Sequence, residues 1–72
     1  MFNTKKFGAY ITVKRKEAGM KQFELAEKVN ITRQSISKYE TGESFPDILI
    51  LVKFAEIFGV TIDELVKSGI PP

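Results

Sequence analysis

Seventy-two residues, 43% of them hydrophobic and including six Phe and two Tyr, suffice for one small folded domain with a modest core. Cysteine and histidine are both absent, which excludes disulfides, thiolate or imidazole metal sites and histidine base catalysis. The net charge of +2 is a weak statement about partners, but its distribution is uneven: Met1–Gln22 holds six basic residues against Glu17 alone, whereas Thr41–Pro72 holds two against five acidic ones.

No glycine loop suited to phosphate binding and no acidic metal cluster is present, so neither an enzyme nor a cofactor-bearing protein is expected. The longest apolar run, Ile48–Val52, is too short to span a bilayer, and Met1–Phe7 lacks the apolar stretch of a secretory signal. The expectation is a cytoplasmic chain with no membrane partner, either intact or the first domain of a longer protein.

Met1–Thr4 reads as a loose arm or a helix start, with Thr4 a candidate N-cap for a first helix over Lys5–Glu17. Phe7, Tyr10 and Ile11 share one turn-spaced stripe, which Lys14 extends with its aliphatic stem. Gly19 suits the end of this helix, and Met20 suits the core. A second helix is predicted over Gln22–Val29, with Leu25, Ala26 and Val29 inward and Glu24, Glu27 and Lys28 solvated. Glu24 and Lys28 are spaced for a surface pair worth ~0.3 kcal/mol at most. Asn30 tolerates the left-handed conformation of a helix exit, Ile31 packs back over it, and Thr32 caps the next helix by accepting from Gln34 or Ser35.

That third helix is predicted over Arg33–Glu40, ending at Thr41-Gly42. Ile36 and Tyr39 fall on its inner side, leaving Arg33, Gln34, Ser37 and Lys38 outside. Two short helices joined by a sharp turn form the arrangement that seats a helix in the DNA major groove. Arg33 and Gln34 have the planar geometry for guanine O6/N7 and adenine N6/N7, while Ser37 and Lys38 reach bases or phosphates. Pro46 and Asp47 open a fourth helix running to about Phe58, with Ile48, Leu51, Val52, Ala55 and Phe58 as its inward stripe. Leu49, Ile50 and Ile57 exceed what that stripe needs and, with Ile70, make a candidate dimer or partner surface. Gly59 closes this helix and Val60 packs. Thr61 caps a fifth helix, with Glu64 at the reciprocal capping position and Ile62, Leu65 and Val66 apolar. The domain is expected over residues 1–69, with 70–72 a tail or the start of a linker.

The stretch MKQFELAEKVNITRQSISKYETGESFPDI resembles the phage-repressor and Cro-like helix-turn-helix family, the XRE type, and the likeness extends over roughly Phe7–Leu65. It departs from the family pattern at Lys21, Phe23 and Asn30. The resemblance implies an all-α, compact five-helix lambda-repressor-like domain, with residues 22–40 as the motif and the third helix reading double-stranded DNA. It implies phosphate contacts at Gln22, Thr41, Gly42, Ser44 and Arg15, with Gln22 also bracing the reading helix and Glu43 turned away from DNA, while Lys21 adds a phosphate contact by its charge and Thr32 sets the helix start near the sugar-phosphate chain. It further implies an ion pair between Arg15 and Glu40, and a homodimer on a near-palindromic operator, acting as a repressor and associated with the nucleoid when bound. The rival expectation is an interaction module, such as an antitoxin or adaptor, that keeps the fold and uses its surplus apolar surface for another protein.

Overall fold

A computed structural model describes residues 1–71; Pro72, the last residue of the expected tail, lies outside the described residues. Five α-helices follow one another: α1 Thr4–Glu17, α2 Gln22–Val29, α3 Arg33–Thr41, α4 Ile48–Phe58 and α5 Ile62–Lys67. No strand occurs among the described residues, and no helix among them is long and apolar enough to cross a membrane.

Local chemistry sets the helix ends. Asn3, not Thr4, caps α1 by accepting from the Lys6 N–H, so the helix starts one residue early. The Thr4 hydroxyl instead donates to the Gly42 carbonyl beyond α3. Lys21 precedes α2 without a capping side chain, and the Glu24 carboxylate accepts the Lys21 N–H at 2.8 Å. Glu24 therefore caps its own helix, and no Glu24–Lys28 ion pair forms among the described residues. Asn30 adopts φ 58° and ψ 46°, the left-handed exit expected of it, and the Ile31 N–H closes onto the Ala26 carbonyl. Thr32, Asp47 and Thr61 cap α3, α4 and α5 through side chains that accept from Ser35, Ile50 and Glu64. The capping box at α5 is only half formed, since Glu64 takes the Thr61 hydroxyl rather than its amide.

The core gathers Phe7 and Ile11 from α1, Leu25, Ala26 and Val29 from α2, Ile36 from α3, Ile50, Leu51, Phe54 and Ala55 from α4 and Leu65 from α5. Met20 and Tyr39 pack at its edge. On α4 the inward face is rotated from the expected stripe. Ile50 and Phe54 are buried, whereas Ile48, Leu49 and Val52 are exposed. The cause is that Lys53 and Glu56 keep to solvent, and Leu49 and Val52, one turn before them, share that side, while the run ILILV by itself does not fix the phase.

The N-terminal arm is tied down rather than loose. Phe2 meets Phe45 edge-on with ring centroids 5.0 Å apart, and Phe45 packs on Phe7 at 4.7 Å. Asn3 donates its backbone N–H to the Gly69 carbonyl, and a Cβ at Gly69 would lie 2.5 Å from the Phe2 ring.

At Gly8 the backbone of α1 lies directly against that of α3. A Cβ there would sit 2.3 Å from the Glu40 carbonyl oxygen and 2.6 Å from that of Tyr39, both backbone atoms that cannot swing aside. Gly8→Ala is expected to destabilise the domain by about 3 kcal/mol, the upper end for overpacking. Urea unfolding measures this directly, and a loss below about 0.5 kcal/mol would mean that the helices are not held this close.

Candidate nucleic-acid interface

Arg33, Gln34, Ser37 and Lys38 emerge on one side of α3, where the helical repeat places positions i, i+1, i+4 and i+5. Together with Glu43 they line an open cleft of about 280 Å³. Ile36 on the opposite side is fully buried, so the helix cannot roll this row away from solvent without exposing the core. The expected outward set is thus on one surface. Glu43, expected to turn away, is on it too.

Behind the row lies a buried polar network. Arg15 donates through Nε to Oε2 of Glu40 at 2.7 Å and through Nη2 to Oε1 at 3.2 Å, and through Nη1 to the Met20 carbonyl at 2.8 Å. The side chains of Arg15 and Glu40 are only 10% and 6% exposed. Oε1 of Glu40 also accepts from Nε2 of Gln22 at 2.9 Å, and Oε1 of Gln22 accepts from Nη1 of Arg33 at 3.2 Å. No buried side-chain polar atom among the described residues lacks a partner. The chain of bonds joins the end of α1, the start of α2 and both ends of α3. Gln22 therefore does brace the start of α3, through Arg33. Arg15 is committed inward, and this burial favours its role as a brace over the phosphate contact expected of it.

The remaining expected phosphate contacts divide by geometry. Lys21, Thr32 and Thr41 are exposed, while Ser44 is half-buried. The Thr41 hydroxyl donates back to the Lys38 carbonyl. The backbone N–H groups of Gly42, Glu43 and Ser44 close onto the carbonyls of Tyr39 and Lys38, because a helix end must satisfy its last acceptors. Gly42, at φ 83°, packs against the Lys5 backbone, where a Cβ would lie 2.9 Å from the nitrogen. In this conformation the loop amides serve the helix end, leaving side chains as its outward donors.

Of the apolar residues expected on a partner surface, Leu49 is 69% and Ile70 48% exposed, but Ile50 is buried and Ile57 packs on the core. Ile48 and Val52, expected inward, take their place beside Leu49.

Residues 13–65 match the helix-turn-helix family. The chain belongs to that family. Among helix-turn-helix relatives, the prophage-derived transcriptional regulator YonR of Bacillus subtilis is 39% identical over 62 residues, covering 86% of this chain and 57% of YonR. The cryptic phage CTXphi transcriptional repressor RstR of Vibrio cholerae is 39% identical over 51 residues, covering 71% of this chain and 46% of RstR. The chain thus spans about half the length of these relatives. A crystal structure of the P22 c2 repressor with a synthetic operator superposes with a TM-score of 0.82 at 26% identity, covering 86% of this chain and 94% of that one. The five-helix architecture is the helix-turn-helix fold of these regulators, which is not an enzyme family.

The Arg15–Glu40 pair yields a test. Arg15→Met or Glu40→Met alone strands one buried charge and is expected to cost about 3–5 kcal/mol, whereas the double replacement should cost clearly less than the two singles together. A double-mutant cycle by chemical denaturation reads the coupling, and simple additivity would show that the pair does not act as a unit.

Proposed function

We propose that this chain is a sequence-specific double-stranded DNA-binding transcriptional regulator that lays α3 in the major groove. The observation that carries the reading is the row Arg33, Gln34, Ser37 and Lys38, presented by a capped helix whose first residue is held by Gln22. Arg33 suits guanine O6/N7 and Gln34 suits adenine N6/N7, with Ser37 and Lys38 adding shorter or more peripheral contacts. Lys21, the second N–H of Gln22, Thr32, Thr41 and Ser44 are assigned to the sugar-phosphate chain on either side, with Gly42 shaping the loop that carries the last two. Repression is the mode favoured, since occupying an operator is enough to exclude other proteins from it. Such a regulator works in the cytoplasm, on the nucleoid.

One helix of this size offers few base contacts, so a homodimer on a near-palindromic operator, with half-sites ~34 Å apart, is part of the proposal. Ile48, Leu49 and Val52 form a contiguous exposed apolar face on α4 that supports such pairing. The same face supports the second reading, in which the fold serves as an interaction module for another protein.

The test compares two variants against a complete set of single-base-substituted operators. Gln34→Ala should remove a preference worth about 1–3 kcal/mol at one or two positions per half-site and leave the salt slope nearly unchanged. Lys21→Ala should weaken all sequences alike and reduce the slope of log K against log salt by about 0.9. Uniform weakening by Gln34→Ala, with base preferences intact, removes Gln34 from the readers. Binding to no selected duplex at low salt favours the interaction module, and sedimentation showing one protein per saturated operator rules out the dimer.

A further inference from the structure

The α3 cleft is lined by one acidic residue, Glu43, which the phosphate and base contacts proposed for its neighbours do not use. Glu43 lines it together with Arg33, Gln34, Ser37 and Lys38, yet enters no ion pair with either cation among the described residues. Its backbone is set firmly: the Glu43 N–H donates to the Lys38 carbonyl at 2.9 Å, the preceding Gly42 sits at φ 83°, and Gly42 is pressed against Lys5.

An ionised carboxylate only accepts hydrogen bonds, so whatever DNA places against it must be a donor. Phosphate is repelled, the more so beside the C-terminal end of α3, where the helix dipole is negative. In the major groove the only donors on base edges are the exocyclic amino groups of cytosine and adenine. Adenine sets the N7 acceptor beside its amino group, which opposes a carboxylate. Cytosine presents its N4 amino group with no acceptor next to it on its own edge, whereas guanine and thymine present acceptors.

We infer that Glu43 is a specificity-determining residue of this cleft, accepting a hydrogen bond from the N4 amino group of a cytosine in each half-site. The inference rests on the DNA-reading function proposed above. It adds an acidic reader at the opposite end of α3 from Arg33, and assigns it a base by charge as well as by shape. Glu43 selects by attraction toward cytosine and by repulsion of guanine and thymine at the same position. Its position is distinct from the one that Gln34 reads.

The experiment selects duplexes with the parent chain and measures Glu43→Ala and Glu43→Gln on every single-base variant of the selected operator. The parent is expected to prefer cytosine at one position per half-site by about ten-fold, within the range for one well-made base contact. Glu43→Ala should lose that preference while binding the remaining bases as well as or better than the parent. Glu43→Gln should move the preference toward adenine, whose N6 and N7 match an amide. Equal tightening on all operators by Glu43→Ala, with the cytosine preference intact, overturns the inference, because Glu43 is then only a repulsive surface charge. A parent chain that selects no duplex at all overturns the DNA-reading function itself, and this inference with it.

Discussion

A single carboxylate orders this domain. Glu40 sits at the end of α3, and its two oxygens collect Arg15 from α1 and Gln22 from the first turn of α2. The guanidinium of Arg15 reaches on to the Met20 carbonyl, in the turn that joins those two helices. Buried ion pairs contribute little net stability against desolvation, but a half-made one is expensive, so the network penalises any arrangement in which the three elements do not meet. Gly8 acts on the same seam by a different means. Its missing Cβ lets the α1 backbone approach the carbonyls of Tyr39 and Glu40, which brings Arg15 within reach of its partner. Steric permission and charge pairing thus specify one docking of α1 on α3.

That docking accounts for the division between affinity and selectivity on the surface. The basic excess of the first third gives the chain an electrostatic bias toward polyanions that is blind to sequence. Selectivity instead needs side chains held in place when nothing is bound. Arg33, at the exposed start of α3, is held by Gln22, which is in turn held by Glu40. A long, flexible side chain is thereby partly ordered in advance, and less conformational freedom is lost when it meets its target.

Helix ends were largely legible in the sequence because capping is local chemistry. Thr32, Thr61, Asn30, Gly42 and Gly59 each act within a few residues of themselves and behave as expected. The facing of α4 is written not in the apolar run Ile48–Val52 but in Lys53 and Glu56, which mark the solvent side one turn beyond Leu49 and Val52, and the packing of Phe54 against Tyr39 and Phe58 agrees with it. Gly8 carried a readable signal that went unused: a glycine inside a periodic helical stretch is unfavourable by ~1 kcal/mol and so points to a close neighbour. The Arg15–Glu40 pair was accessible only through family resemblance, because 25 residues separate its members. The aromatic cluster of Phe2, Phe7 and Phe45 was missed for the same reason of distance along the chain. Glu43 shares the cleft with the α3 row, a proximity that its sign alone does not suggest.

The clasp between the two ends of the α1–α3 seam has an evolutionary consequence. The Thr4 hydroxyl holds the Gly42 carbonyl, and the Lys5 backbone fills the space beside that glycine. The loop that borders the α3 cleft is thus positioned by a residue 38 places earlier in the chain. On the proposed DNA-reading function, substitutions at the start of α1 retune which operators are preferred without altering any group that touches a base. Divergence of binding preference between relatives can then be inherited through residues that an inspection of the recognition helix alone would pass over.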